Sequence, residues 1–468
     1  MHNHKICILI IFLTTHLLIF ADAFRLNERV VFIGDSITHA GFYHSYIQTF
    51  YATRFPDRNI IIYNLGISGD TAKGGYQRTS GNNDYLWESD VFSYNPTAAI
   101  IMLGMNDAST SILKNSKTPN ELEEKTKQQI KWFKDSYSRL LDNLDLLELN
   151  SVQLVKSSAY DQTMKNPEAR ENWKIFGVGK NDLIKRMARE VIETEAFNRN
   201  LTVIDFNSPM LIINKEQQQF DSSFSIVGKD RVHPGASGHM VMAYAFLKSQ
   251  SLEGKISEVF IDIKKIEDSF YNNCAVKNLK ISKDHSLSFD YNSKAIPFPD
   301  SIYESTKNLI DFECEFNDEQ LIVDGLKDQN YSLYIDDEHI GDFSTDEYSS
   351  GINLSKYKTP QMNQANEVWE ICQERARIAS LTRNIVWSDN QLRKVEGLDR
   401  SNTRACKTHI EKMLIENKSL TTYMKNVLKD YLEYIDDYSS LRKQIDKLGK
   451  QMYQAAQPKV REIKIIAN

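Results

Sequence analysis

Proline and glycine are scarce in this chain, at 10 and 19 of 468 residues. Collagen-like and low-complexity chains need far more of both and are excluded. Cysteine is scarcer still, at 5, and no two stand as Cys-x-x-Cys. A disulfide-dense small scaffold, a zinc ribbon and a thiol redox motif therefore find no support. Basic residues are not in excess: 57 Lys and Arg face 63 Asp and Glu, a net charge of −6. A dedicated nucleic-acid binder normally carries a basic surplus, so none is expected as a partner. What is present, 41% hydrophobic and 26% charged residues, is the composition of a globular protein. A length of 468 residues exceeds what one core usually fills, so two or three domains are expected.

One apolar run stands apart. Lys5 precedes Ile6 to Phe20, followed by Ala21-Asp22-Ala23, the small-residue pattern of a signal-peptidase site. The run is short for a membrane span of about 20 residues. Cys7 lies near its start, which argues against a lipoprotein anchor. Residues 1–23 are read as a signal peptide cleaved after Ala23, with the protein secreted or periplasmic and no later membrane span; an uncleaved anchor is the alternative. In an oxidising compartment Cys274, Cys314, Cys372 and Cys406 form an even set. Pairing nearest neighbours, Cys274 with Cys314 and Cys372 with Cys406, keeps each bridge within one segment. Free buried thiols are the other reading.

Charge and pattern divide the rest. Residues 1–250 are balanced, 251–360 carry 22 acids against 11 bases, and 361–468 carry 19 bases against 14 acids. Within 24–250, continuous apolar runs at Val30–Ile33, Ile60–Tyr63, Ala98–Leu103 and Leu201–Phe206 alternate with helical stretches, including Tyr43–Arg54 and Glu121–Leu149. Unbroken apolar strands imply burial on both faces, hence a doubly wound α/β domain with a parallel sheet. Its ligands belong at the carboxyl ends of the strands. Residues 251–358 alternate apolar and polar residues between turn signals and read as a small β-sandwich-like module. Thr359-Pro360 is a helix start. A helix to about Arg393 and a second from Asn402 to Gln457 make 359–468 a helical hairpin, and Val460–Ile466 is a terminal strand able to pair back with the β module. The apolar faces of the long helices suggest a homodimer.

Four short patterns carry chemistry. Gly34-Asp35-Ser36-Ile37-Thr38 follows a buried strand and opens a helix. Ser36 is therefore at the sheet edge, with its N–H among the free donors of a helix start. The same pattern also makes an ordinary N-cap. Asn64 to Thr71 ends the next strand, and a glycine there lets the backbone approach a ligand and donate an N–H. Gly104-Met105-Asn106-Asp107 ends a third strand, placing the Asn106 amide to donate to an oxyanion. In Asp230-Arg231-Val232-His233-Pro234, a carboxylate three residues before a histidine can fold back onto Nδ1.

Together and in this order, the four blocks resemble the SGNH (GDSL) hydrolase superfamily of serine esterases and lipases, over about residues 28–250. The resemblance implies a flavodoxin-like α/β fold with Ser36 as nucleophile, His233 as general base and Asp230 as its orienting acid. Ser36 N–H, Gly69 N–H and the Asn106 side chain would form the oxyanion hole. Met105 stands where another glycine is common in the family. No cofactor or metal is implied. His39 and His44, which follow the serine, are read as structural or as pocket lining. Exported relatives with a similar asparagine block look like carbohydrate acetylesterases. Phe42, Tyr43, Tyr46, Tyr85 and Trp87 lie near the blocks and offer flat faces for sugars, or ordinary packing. The expected substrate is an O-acylated, above all O-acetylated, poly- or oligosaccharide. A secreted lysophospholipase or thioesterase, or a surface binding protein with an idle triad, are the alternatives.

Overall fold

A computed structural model describes residues 23–81, 85–109, 111, 115–165, 179–252, 254–327 and 330–468. The leader proposed from the sequence, Ala23 apart, lies outside the described residues. Among those described, no helix is long and apolar enough to cross a membrane.

The first part is a five-stranded parallel sheet built from β1 (Arg29–Gly34), β2 (Ile61–Gly66), β3 (Ala98–Met102), β4 (Ser151–Lys156) and β5 (Thr202–Asp205). Their order is β2-β1-β3-β4-β5, the flavodoxin-like arrangement, so the strand order reverses between β1 and β3. The fold class expected from the sequence is the one found. Strands β1 to β3 are buried almost throughout because helices cover both faces. Helix α1 (Ser36–His39) is a single turn after β1, and α2 (Tyr43–Arg54) follows it. All twelve α2 residues are buried, as expected of a helix walled on every side. Helix α3 (Ala72–Arg78) follows β2. Helix α4 (Pro119–Leu144) starts at an N-cap, Thr118, with proline in its first turn, and buries Ile130, Phe133, Tyr137, Leu140, Leu141 and Leu144 on one face. The sequence reading did not name β4. Its apolar run is broken by Gln153, which is nevertheless buried mid-strand.

The second part is a sandwich of two sheets. One holds β6 (Lys255–Asp262), β7 (Phe270–Asn272), β10 (Asp318–Asp324) and β13 (Ile352–Asn353). The other holds β8 (Cys274–Ile281), β9 (Leu287–Ser293), β11 (Asn330–Ile335), β12 (Glu338–Ser344) and β14 (Arg461–Ala467). Their inward residues, among them Val259, Leu321, Phe289, Leu333 and Ile463, form one core. The C-terminal strand is not peripheral: β14 lies between β9 and β11.

Between β13 and β14 runs the helical part. Helix α5 (Pro360–Leu392) has 33 residues, roughly 50 Å of helix, and is capped by the Thr359 side chain accepting from Met362 N–H at 3.1 Å. The single helix expected over 402–457 is instead three: α6 (Thr403–Glu416), α7 (Thr422–Tyr434) and α8 (Tyr438–Ala455). Asn417 ends α6 in an extended conformation, and Thr421 caps α7 by accepting from Met424 N–H. Apolar residues of these helices pack within the chain, Ile445 in the α/β core and Val427 and Tyr431 in a second core with α5 and α6. Tyr453 meets Gln48 of α2, Trp369 packs on Tyr46, and Arg375 donates to the Ile62 carbonyl of β2 at 2.6 Å. The cysteine pairing is corrected too. All four described cysteines are free: Cys372 is buried against the Ser45 carbonyl and Cys406 lies in a separate core, while Cys314 is exposed.

Candidate active site

Strand β1 delivers Gly34 to the edge of the sheet, and Asp35 caps α1 by accepting the Ile37 N–H at 2.9 Å. Asp35 is fully buried, which pushes its carboxyl up to about 6. Ser36 is the next residue. Its Oγ lies 2.8 Å from His233 Nε2, and His233 Nδ1 lies 2.5 Å from Asp230 Oδ2. The other oxygen, Asp230 Oδ1, accepts the backbone N–H of Val232 and of His233. This fold-back needs a tight loop, and Gly228 supplies it at φ +79°. A Cβ there would stand 2.5 Å from the His233 carbonyl oxygen.

The protonation pattern follows. With Nδ1–H directed at Asp230, the Nε2 lone pair faces Ser36. The hydrogen bond to Asp230 raises the His233 pKa above its ordinary value, against partial burial that lowers it. Partial burial raises Asp230, but the bonds it accepts from His233 and Val232 outweigh this and hold it below the usual carboxylate range. Both side chains are about half exposed, 51% and 48%, so the histidine end of the line opens to solvent.

Ser36, Gly69 and Asn106, each with a donor group, line one cleft. Gly69 has φ +81° and open space around its α carbon. Asn106 spends one amide hydrogen on the Asp70 carbonyl at 2.9 Å, leaving its second hydrogen free to turn to the cleft. The N–H groups of Ser36 and Gly69 have no partner among the described residues. Asp107 accepts the Ala72 N–H at 3.1 Å, tying the asparagine block to the glycine block. Such an arrangement can bind an oxyanion next to an activated hydroxyl.

These groups open onto a cleft of about 530 Å³. Its far wall is not part of the α/β domain: Ser380 and Asn384 of α5 and Tyr423 of α7 complete it. Sequence reasoning missed all three, because nothing local marks a helix residue as facing a cleft more than 300 residues away. His39 lines the cleft. Burial first, then the Arg383 charge, push its pKa down to about 3, so it is neutral, with Nδ1 receiving the Ser68 N–H at 3.2 Å. His44 is buried and bonded to the Thr38 carbonyl, outside the cleft. Of the aromatic cluster, Tyr43 bonds Thr38, Tyr46 packs on Trp369, Trp87 is 1% exposed and Arg400 covers Tyr85, whereas Phe42 is 43% exposed and lies against His239; none of the five lines the cleft. Among the described residues, Tyr423 brings a phenol ring to the cleft wall.

Beneath the glycine block lies a buried ion network. Arg78 contacts Asp70 at 2.6 Å and Asp90 at 2.8 Å, and Arg383 of α5 contacts Asp90 at 2.8 Å. The helical part is thereby fastened to the floor of the site.

Residues 30–246 match the family described as GDSL-like Lipase/Acylhydrolase. The α/β domain belongs to the SGNH/GDSL hydrolase superfamily. An acetylxylan esterase of Geobacillus stearothermophilus is 25% identical to this chain over 244 residues, 48% of the chain and 95% of the relative. A solved structure titled as a gut microbial diltiazem-metabolizing enzyme is 29% identical with a TM-score of 0.85. It covers 96% of this chain and 100% of its own, so the likeness runs through all three parts. The protein is a carboxylic ester hydrolase.

Proposed function

We propose that this SGNH hydrolase removes O-acyl groups, above all O-acetyl groups, from carbohydrates outside the cytoplasm. The observation that carries the catalytic reading is the hydrogen-bonded line Ser36–His233–Asp230 at the carboxyl end of β1. His233 Nε2 takes the hydroxyl proton as Ser36 Oγ attacks the ester carbonyl, and Asp230 stabilises the imidazolium that forms. The Ser36 and Gly69 N–H groups and the Asn106 amide receive the developing oxyanion. His233 then gives the proton to the departing alcohol, leaving an acyl-Ser36 ester. Water, deprotonated by the same imidazole, releases the acid. Ser36→Ala should abolish turnover of an activated acetate ester and labelling by a fluorophosphonate while leaving the circular dichroism unchanged. Turnover retained by Ser36→Ala overturns the assignment.

Two observations support the acetyl-sugar reading. The acetylxylan esterase relative is matched over nearly its whole length, and the cleft wall presents hydroxyl and amide groups at Ser380, Asn384 and Tyr423. A second reading, a small-molecule acetate esterase, draws on the relative that matches the whole chain; diltiazem carries a single carboxylic ester, an acetate of a secondary alcohol. Acetylated xylo-oligosaccharides, diltiazem and a nitrophenyl ester series of increasing acyl length separate the readings. Activity confined to long acyl chains defeats both. Export rests on the Ile6–Phe20 run and Ala21-Asp22-Ala23. N-terminal sequencing of the exported protein should begin at Phe24, and retention of residues 1–23 counts against cleavage.

A further inference from the structure

The Ser68–Gly69 peptide is held from the far half of the chain. Its carbonyl, on Ser68, accepts the indole Nε1–H of Trp387 at 3.2 Å. Its N–H, on Gly69, has no internal partner among the described residues. A peptide unit is planar, so fixing the carbonyl direction fixes the opposite direction of the N–H. Trp387 is 7% exposed on α5, and its ring is packed in the core formed by α5, α6 and α7. The donor therefore belongs to a rigid element, although the loop that it grips does not.

The preceding residue is gripped as well. The Ser68 hydroxyl is 2.6 Å from Tyr423 Oη and 3.1 Å from His39 Nδ1, which also receives the Ser68 N–H. Burial keeps His39 neutral, so Nδ1 remains an acceptor. Asn384 Nδ2 donates to Asp430 Oδ2 at 2.6 Å, locking α5 to α7. The two helices that bear Trp387 and Tyr423 thus hold a common register. Gly69, at φ +81°, is the third residue of a turn closed by the Asp70 N–H on the Ile67 carbonyl at 3.0 Å; that closing bond does not by itself set the direction of the central Ser68–Gly69 peptide, which differs between turn types.

We infer that Trp387 and Tyr423 are positioning residues for the oxyanion hole, setting the Gly69 N–H through the Ser68–Gly69 peptide, so that the C-terminal helices complete the active site. This rests on the reading of Gly69 as an oxyanion donor. Donor alignment matters only when charge develops on the carbonyl oxygen, so its loss falls on the transition state.

The test uses the full chain with Tyr423→Phe, which keeps the ring and removes the hydroxyl, and Trp387→Phe, which keeps an aromatic side chain of smaller volume and removes the indole N–H. With a nitrophenyl acetate substrate, kcat should fall about 10-fold in Trp387→Phe, less than for removal of a whole donor, and several-fold in Tyr423→Phe. KM should stay within about twofold in both. Inhibition by an alkylboronic acid, whose serine adduct is tetrahedral and anionic, should weaken in parallel with kcat. Ordinary kcat in both variants, or a rise in KM alone, overturns the inference. If Trp387→Phe does not fold, the half-exposed Tyr423 still gives a decisive answer through the same kcat and boronate comparison. A Ser36→Ala enzyme that retains turnover would instead remove the nucleophile reading and this inference with it. An inactive Ser36→Ala beside unaffected Trp387→Phe and Tyr423→Phe removes the inference alone.

Discussion

Asp90→Asn should be among the most damaging single changes in the protein, although Asp90 touches no part of the cleft. Its two oxygens receive Arg78 Nη1 at 2.8 Å and Arg383 Nη2 at 2.8 Å to each. Side-chain exposure is 0% for Arg78, Asp90 and Arg383 and 3% for Asp70. Two guanidiniums against two carboxylates leave this pocket neutral. Replacing Asp90 by the near-isosteric amide leaves one buried positive charge and turns amide hydrogens toward arginine donors. Among the described residues, Arg383 Nε and Nη1 already lack hydrogen-bond partners, so Asp90 is the acceptor that its guanidinium depends on. Breaking one side of a buried pair costs about 3–5 kcal/mol. With no solvent access and a cation stranded, about 4 kcal/mol is expected, roughly a thousandfold in the folding equilibrium. Urea unfolding followed by circular dichroism measures the loss. The companion variant Arg383→Met/Asp90→Asn restores neutrality, with Arg78 still paired to Asp70, and should recover most of it. The cycle isolates the pair. A cost for Asp90→Asn below about 1 kcal/mol, or a double variant weaker than the single, would refute the electrostatic argument.

Three further perturbations probe the site and the β module. Asn106→Ala should lower kcat about 10²–10³-fold with KM little changed; a loss confined to KM removes its oxyanion role. Asp230→Asn should cut kcat by about 10⁴. Because Asp230 raises His233 above its ordinary 6.5, wild-type activity fades as pH falls through that raised value, and the acid limb should move to lower pH in the variant. An unmoved limb, read from kcat/KM against pH, means that another group orients the imidazole. Glu319, 1% exposed and bonded to Tyr291 at 2.7 Å, is pushed by burial from 4.5 to about 7. The folded state keeps this proton where the unfolded chain has lost it, so stability is fully present below 4.5 and falls as pH rises to about 7, by about 3 kcal/mol. Glu319→Gln should flatten that decline in urea midpoints taken across this range, and an unchanged slope assigns the decline elsewhere.

What was legible in the sequence was what local pattern encodes. Strands β1, β2 and β3 are unbroken apolar runs because helices cover both faces, and each ends in a block with a recognisable residue set. Strand β4 hid because Gln153 interrupts its apolar run. The break in the last helices hid because the apolar residues Met413, Leu420, Met424, Val427 and Tyr431 step by three, four or seven as one helix would, whereas the caps at Asn417 and Thr421 decide. Aromatics close in sequence to Ser36 were misleading for a related reason. Tyr43 and Tyr46 lie on a helix buried on all sides, so nearness along the chain put them in the core instead of the cleft. Tyr423 and Trp387, more than 300 residues from Ser68, reach it only through tertiary packing, which no spacing rule records.

The same reasoning changes the meaning of the basic C-terminal segment. Five of its eight arginines reach the α/β domain. Arg375 donates to the Ile62 carbonyl, Arg383 pairs with Asp90, Arg393 reaches Gln77, Arg400 pairs with Glu88, and Arg442 donates to the Ser93 carbonyl while covering Tyr94. Carbonyl ends of strands and loops carry partial negative charge, and guanidinium forks satisfy them at geometries that lysine does not match. It follows that the α/β domain and the helices are one working unit. Helix α2 is buried from both directions, the floor of the site is pinned by Arg383, and the wall opposite Ser36 is made by α5 and α7. The half of the chain with no recognisable catalytic block thus sets the shape of the cleft in which the recognisable blocks work.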